Sequence, residues 1–288
     1  MTAVSLVIPA YNEERVIGSV VDQIINVMEK ADITNEIIVV DDGSTDKTVQ
    51  IIQERAVQLI RHPFNKGYGA ALKTGMRKAK YDTIAIIDAD GTYPAEDLPK
   101  LVSGIGEWDM VVGARVGEDV KIPPLRKLAK WFLTQLATYL VGTPIPDLNS
   151  GLRVFKKDIT MRFYHILPSG FSFTATITLA LLSNDYLVQY VPIRYYKKRR
   201  GKSKIRPIRD TLSFLQLIIR TVMYFAPLKI FLPVSLALFL FSTIIFLYSV
   251  LVLHKLMDVT VVVTMLASIQ IAAIGLLADL MDKRSPKF

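Results

Sequence analysis

Along the first two hundred residues, short apolar runs alternate with stretches whose apolar positions recur at helical spacing. Ser5–Pro9 (SLVIP), Glu36–Val40 (EIIVV), Val57–Arg61, Thr83–Ile87 (TIAII) and Asp109–Gly113 (DMVVG) read as short buried strands. Between them, Glu13–Lys30 brings Val16, Val20, Ile24, Val27 and Met28 onto one helical face. Ser44-Thr45-Asp46 offers N-cap chemistry for a helix through Arg55. In Gly67–Lys80 the small residues Gly67, Ala71 and Gly75 are four apart, which lets a helix lie close to a sheet. Strand–helix alternation of this kind predicts an α/β fold with a mainly parallel, doubly wound sheet. Ligands of such sheets sit at the carboxyl ends of the strands. The segments that follow the strands, AYNEE, DDGS, DADG and GAR, are therefore the ones to read for chemistry.

The pattern then changes twice. Arg194 to Arg209, RYYKKRRGKSKIRPIR, holds nine basic residues and no acid. Ile230–Leu253 and Val259–Ala278 are uncharged for 24 and 20 residues, with only HKLMD at the turn between them. At ~1.5 Å per residue each would reach roughly 30–36 Å as a helix, enough to cross a bilayer core. The organisation expected is a domain over 1–205, a juxtamembrane segment over 206–227 and a transmembrane hairpin over 228–288, with spans near 229–253 and 259–280. Thr211–Phe225 reads as an interfacial helix or as a core helix of the soluble domain. Lys229, Lys283, Arg284 and Lys287 flank the hairpin, which places both flanks in the cytoplasm by the positive-inside rule. The N-terminal MTAVSLVIPAYNEE lacks a basic start and a long apolar run, so the expectation is a multi-pass protein of the cell membrane with its domain and both termini cytoplasmic.

Composition narrows the chemistry. The chain carries 35 Lys plus Arg against 26 Asp plus Glu, and the basic run accounts for the whole excess, since the rest balances 26 bases against 26 acids. Cysteine is absent, which excludes disulfides, iron–sulfur clusters and thiolate zinc sites. The histidines at 62, 165 and 254 are too scattered for a histidine metal cluster. The basic run abuts the apolar tail and no nucleic-acid module is recognisable, so lipid headgroups and phosphorylated ligands are the expected anionic partners rather than nucleic acid. Asp88-Ala89-Asp90 leaves a strand with two carboxylates that can face one hard cation, Mg²⁺ or Mn²⁺. A turn role for Asp88, Asp90 and Asp41-Asp42 remains the plain alternative.

Five motifs occur in order: VIPAYNEE (7–14), VVDDGSTD (39–46), NKGYGAA (65–71), DADG (88–91) and DLNSGLRVF (147–155). Together they resemble family 2 glycosyltransferases of the GT-A fold, and more narrowly the polyprenyl-phosphate hexosyltransferases and dolichyl-phosphate mannose synthases. RRGKSK (199–204) followed by an apolar tail strengthens the narrower match. The resemblance implies transfer of a hexose, with inversion, from a nucleoside-diphosphate sugar to a polyprenyl phosphate such as undecaprenyl or dolichyl phosphate. It implies that Pro9, Tyr11 and Glu13 border the nucleotide and that Asp42 contacts the base. Asp88, Ala89 and Asp90 match the donor-binding motif, with Asp88 and Asp90 as ligands of a divalent cation. Arg115, Arg126, Arg153, Arg200, Lys202 and Ser203 match positions around the acceptor phosphate and donor diphosphate. Asp90, Asp147 and Arg153 match the catalytic positions, with Asp147 either a base or a group that positions Arg153 or the acceptor. Thr92 stands where mannose synthases usually carry Gln, and GFSFTATIT (170–178) lacks their acidic residue, so sugar and nucleotide stay open. The alternatives are a family 2 transferase acting on another lipid or glycan, and a non-catalytic membrane adaptor. Homo-oligomerisation is open.

Overall fold

The computed structural model describes residues 3–115, 134–139, 141–170, 172–196, 215–216, 219–220, 223–224, 226–252, 254 and 259–284. Its strands are β1 (Val4–Ala10), β2 (Asn35–Asp41), β3 (Gln58–Arg61), β4 (Thr83–Ile86), β5 (Met110–Arg115), β6 (Arg153–Lys156) and β7 (Val188–Ile193). They form one sheet in the order β3-β2-β1-β4-β6-β5-β7. All pairings are parallel except those of β6, which runs antiparallel to both β4 and β5. The five strands expected from the sequence are present. β6 and β7 are additional, and β6 is the one that departs from a purely parallel sheet.

The helices are α1 (Ile17–Lys30), α2 (Thr48–Gln53), α3 (Tyr68–Lys78), α4 (Leu98–Ser103), α5 (Lys157–Arg162), α6 (Phe173–Leu182), α7 (Leu228–Leu251) and α8 (Val259–Arg284). Alternate strand side chains feed two opposite layers. Val4, Leu6 and Ile8 pack with Val21 and Ile24 of α1 and Leu98 and Leu101 of α4. Val7, Ile38 and Val40 pack with Leu72 and Met76 of α3, Ile159 of α5 and Phe173 and Ile177 of α6. Gly75 is where α3 meets the sheet, for a Cβ there would fall 2.2 Å from Val7 Cγ1.

α1 begins four residues later than the periodicity suggests. The N–H groups of Asn12, Glu13 and Glu14 are taken by Ser44 Oγ, Thr48 Oγ1 and Asp46 Oδ2, which ties the exit of β1 to the exit of β2 and delays the helix. Asp46 also accepts the N–H of Thr48, the first residue of α2, at 3.0 Å, so the turn before the helix is held by its carboxylate.

A third apolar cluster joins the domain to the tail: Ile145, Leu148, Ala175, Leu179 and Leu182, with Ala226 and Ile230 packed against them. α7 and α8 are each long and apolar enough to span a membrane, at mean hydropathies of 2.5 and 2.3, and only 11% and 17% of their most apolar windows is buried. Much of the rest of their surface is exposed Leu, Ile, Val, Phe and Met. In water such a surface is untenable, and in a bilayer it is the expected one. The helix expected over 211–225 lies largely outside the described residues, although 215–216, 219–220 and 223–224 are helical.

Candidate active site

The antiparallel β6 determines where the site forms. Because it runs against its neighbours, its first residue pairs with the last residue of β4, Arg153 with Ile86, and with Val112 of β5. The loop 147–152 therefore arrives at the same sheet edge as the Asp88–Asp90 segment and Arg115. β7 ends there too, pairing Ile193 with Arg115 and delivering Tyr195 and Tyr196. Four segments far apart in the chain meet at one edge.

Asp88 lies at the floor of this edge. Tyr68, the first residue of α3, donates its hydroxyl to Asp88 Oδ1 at 2.8 Å. The carboxyl group lies against Gly151, where a Cβ would come within 2.1 Å of Asp88 Oδ2. The Gly151 N–H donates to Tyr93 Oη at 2.6 Å, and the Tyr93 ring meets Tyr195 edge-on. Burial pushes the Asp88 carboxyl up to about 6 and the nearby Asp90 charge adds to it, while the Tyr68 hydrogen bond and the charges of Arg115 and Arg153 oppose the rise. Burial likewise raises the phenols of Tyr68 and Tyr93, so both remain protonated, Tyr68 as donor to Asp88 and Tyr93 as acceptor from Gly151.

Asp90 Oδ1 accepts the Thr92 hydroxyl at 2.6 Å and the Thr92 N–H at 3.2 Å. Asp90 also borders a cavity of about 380 Å³ that is lined by Val16, Gln23, Tyr93, Glu96 and Tyr196 among others, so solvent and ligands can reach it. Among the described residues no group of three or more His, Cys, Asp or Glu side chains could hold a metal alone. Two mutually repelling carboxylates of hard oxygen chemistry fit Mg²⁺ or Mn²⁺ only if a substrate or water completes the coordination.

Arg115 and Asp147 form a bidentate ion pair, with Nε and Nη2 each 2.7 Å from a carboxylate oxygen. Asp147 also accepts the Arg115 and Asn149 N–H groups. Burial works to raise its carboxyl, but the Arg115 bonds and charge hold it below the usual carboxylate range. The Arg115 guanidinium lies 5.3 Å from the Tyr195 ring centre, a cation–π distance.

Arg153 is fully buried. It donates to Ser150 O, Thr174 O and Thr178 Oγ1, which pins the loop 147–152 to α6. Its charge reaches Asp88 from beneath the surface, whereas its donors are turned toward the protein. Of the partners open to Asp147, the structure pairs it with Arg115 and not directly with Arg153. Asp42 is also turned inward. Its carboxylate accepts the Lys66 and Gly67 N–H groups at 2.9 and 2.8 Å and meets His62 Nδ1 at 2.7 Å. Asp42 thus shapes the 62–67 turn that starts α3. Pro9 is buried in β1 opposite Val40, past the end of the β1–β4 ladder at Val7, where a missing N–H is tolerated. Ala89 is buried, Tyr11 is exposed and Glu13 half-buried on the exit of β1. Arg126, Arg200, Lys202 and Ser203 lie outside the described residues.

Tyr68, Tyr93 and Gly151 complete the site and were not singled out from sequence. The available signal was their place within motifs, at NKGYG, DADGTY and NSGLR, each beside a candidate residue.

Comparison with known proteins adds to this geometry. A model described as glycosyl transferase family 2 matches residues 5–163, and one described as the GtrB C-terminal hairpin matches residues 226–282. The chain is 31% identical over 212 residues to the low-salt glycan biosynthesis hexosyltransferase Agl6 of Haloferax volcanii, covering 72% of this chain and 50% of that protein. It is 29% identical to the dolichyl-phosphate hexose transferase of the same organism, covering 70% of this chain and 86% of that one. It is 26% identical to the undecaprenyl-phosphate mannosyltransferase of Micrococcus luteus, covering 69% and 86%. The fold is shared with glucosyl-3-phosphoglycerate synthase of Mycobacterium tuberculosis in complex with Mn²⁺, UDP and phosphoglyceric acid. That match has a TM-score of 0.62 at 20% identity, over 77% of this chain and 78% of that one.

Proposed function

Since the chain belongs to glycosyl transferase family 2, we propose that it transfers a hexose from a nucleoside-diphosphate sugar to a polyprenyl phosphate, with inversion, at the cytoplasmic face of the membrane. One observation carries the proposal: a family 2 domain and a GtrB-type hairpin occur in the same chain, joined by a shared apolar cluster. An isoprenoid acceptor cannot leave the bilayer cheaply, at ~0.8 kcal/mol per buried CH₂. An enzyme for it needs a site held at the membrane surface, and the apolar contact of Ile230 with the cluster of Ile145 and Leu179 supports that reading. The relatives named for dolichyl and undecaprenyl phosphate support the same acceptor class. The parts would be the domain over 1–205, the juxtamembrane stretch 206–227 and the hairpin 228–288.

The chemistry follows from the acceptor. A phosphate monoester has a second pKa of ~6, so its oxygen is already a competent nucleophile at neutral pH. No base is then required, which agrees with an Asp147 that is spent on Arg115 and held ionised. Asp147 acts by fixing Arg115, and Arg115 with the basic sequence 199–204 receives phosphate charge. Arg153 braces the loop 147–152 and contributes positive potential under Asp88. Tyr11 and Glu13 border the nucleotide from the exit of β1, while Asp42 shapes its floor through the 62–67 turn. Asp88 and Asp90 would hold a divalent cation together with the donor diphosphate, and that cation would neutralise charge on the leaving group.

The test is direct. The purified full chain in nanodiscs is incubated with a panel of radiolabelled nucleotide sugars and undecaprenyl or dolichyl phosphate. Label entering the lipid phase identifies donor and acceptor together. Label that instead enters a glycan or another lipid, with none on either polyprenyl phosphate, overturns the acceptor assignment.

A further inference from the structure

Each carboxylate of the DADG segment accepts a hydrogen bond from a neighbouring hydroxyl. Tyr68 donates to Asp88 Oδ1 at 2.8 Å, and Thr92 donates to Asp90 Oδ1 at 2.6 Å through its hydroxyl and at 3.2 Å through its N–H. The two donors come from different parts of the fold. Tyr68 opens α3, on the layer that covers one face of the sheet. Thr92 reaches back along its own turn, which Gly91 permits with φ of +70°. A Cβ at residue 91 would fall 2.9 Å from Val16 Cγ1, so that turn is packed against the start of α1. Thr92 itself is 1% exposed and β-branched, which leaves its hydroxyl few alternative directions.

We infer that Tyr68 and Thr92 are positioning residues that set how Asp88 and Asp90 meet a cation, holding each carboxylate to single-oxygen coordination. The inference rests on the reading of Asp88 and Asp90 as cation ligands. An accepted hydrogen bond uses lone pairs that two-oxygen chelation would need and fixes the carboxylate plane, one donor at Asp88 and two at Asp90, which favours coordination through the other oxygen. Mg²⁺ and Mn²⁺, bound octahedrally at short distances, take carboxylates through one oxygen, whereas Ca²⁺ favours larger shells with two-oxygen carboxylates. The hydroxyls therefore do two things. They remove the need to immobilise each carboxylate when the cation arrives, and they select against Ca²⁺. Partners of ligating groups typically matter by about 10–100-fold in metal affinity. Thr92 takes this part at the position where mannose synthases usually carry Gln, and its shorter side chain acts through Asp90.

The experiment measures Mn²⁺ binding by electron paramagnetic resonance on the full chain in nanodiscs, with UDP and separately with GDP, and Ca²⁺ as competitor. Thr92→Val keeps the shape of the side chain and removes the hydroxyl. Tyr68→Phe does the same at Asp88. Each is expected to weaken Mn²⁺ binding about tenfold and to narrow the preference for Mn²⁺ over Ca²⁺. Thr92→Ser is expected to restore both, which separates the hydroxyl from packing. Near-UV circular dichroism and melting temperature are compared throughout to exclude misfolding. Wild-type affinity and selectivity in both Thr92→Val and Tyr68→Phe overturn the inference while leaving the cation site standing. A wild-type chain that binds no Mn²⁺ with either nucleotide overturns the cation site as well.

Discussion

Asp147 grips Arg115 with both carboxylate oxygens, across 32 residues of sequence. The pair fixes the guanidinium at the end of β5, facing the same edge as Asp88. Asp147 stays ionised because the guanidinium outweighs the burial that would neutralise it. A folded-state carboxyl below its ordinary value contributes stability above the unfolded pKa of about 4 and loses it as pH falls through the folded value. Asp147→Asn is therefore expected to lower stability by about 2–3 kcal/mol at pH 7 and progressively less below pH 4. Denaturant melts across that range check it. In kinetics, Asp147→Asn should lower turnover without changing the shape of the pH–rate profile between pH 6 and 9. Loss of a limb in that profile would instead identify Asp147 as a base.

Asp88 has the opposite sign. Its carboxyl is raised to about 6 by burial, so the folded state prefers the protonated form. Stability then falls as pH rises from about 4 to about 6, and at neutral pH the site carries an ionised group that folding disfavours. Asp88→Asn is expected to stabilise the metal-free protein at pH 7.5 by about 1–3 kcal/mol, to do so much less at pH 4, and to abolish transfer. Thermal melts of both proteins with chelator, at the two pH values, are the measurement. Equal melting temperatures at pH 7.5 would remove the strain assigned to Asp88.

Gly151 has no side chain because Asp88 occupies the space. A Cβ would stand 2.1 Å from Oδ2 and 2.5 Å from Cγ, and Tyr68 holds the carboxyl from the other side. Gly151→Ala is expected to displace Asp88 and to reduce kcat/KM by about 100-fold, the scale of a 1 Å misplacement. The core should survive, since the residue lies on a loop. A steady-state assay beside a circular dichroism spectrum separates the two effects.

The sequence made some of this visible and hid the rest for identifiable reasons. Val7, Ile8, Val39 and Val40 lie in strands covered on both faces, and such strands read as plain apolar runs. The strand ends, and hence Asp88, Asp90 and Arg115, followed from that. β6 was hidden because four residues, Arg153 to Lys156, carry no period, and because its antiparallel course depends on where the loop 147–152 can pass. The inward turn of Arg153 was hidden for the same reason: arginine is rarely buried, and its acceptors Thr174 and Thr178 belong to a helix 21 and 25 residues away. Tyr68 and Asp88 are adjacent only because α3 packs over β1 and β2, which brings its first residue beside the segment that leaves β4.

The hairpin supplies a prediction that the absence of cysteine makes clean. Ser235, Ser242 and Ser249 recur every seven residues on α7 and are 8%, 2% and 3% exposed, while their neighbours face outward. Ser235 Oγ donates to Ser268 O at 2.8 Å and Ser242 Oγ to Val261 O at 3.0 Å, so the seam is made of small residues and backbone contacts. That is how helices associate where lipid offers no hydrophobic drive. Gly275 extends the seam toward Phe231, whose Cβ a substituent would meet at 2.5 Å. In the cysteine-free chain, Ser242→Cys with Val261→Cys is expected to crosslink within one molecule under mild oxidation, read as a mobility shift on a non-reducing gel. Adding Gly275→Leu should suppress that crosslink and lower transfer to lipid, because the seam and the Ile230 contact to the domain open together. Undiminished crosslinking in the triple variant would show that Gly275 does not hold the two helices in register.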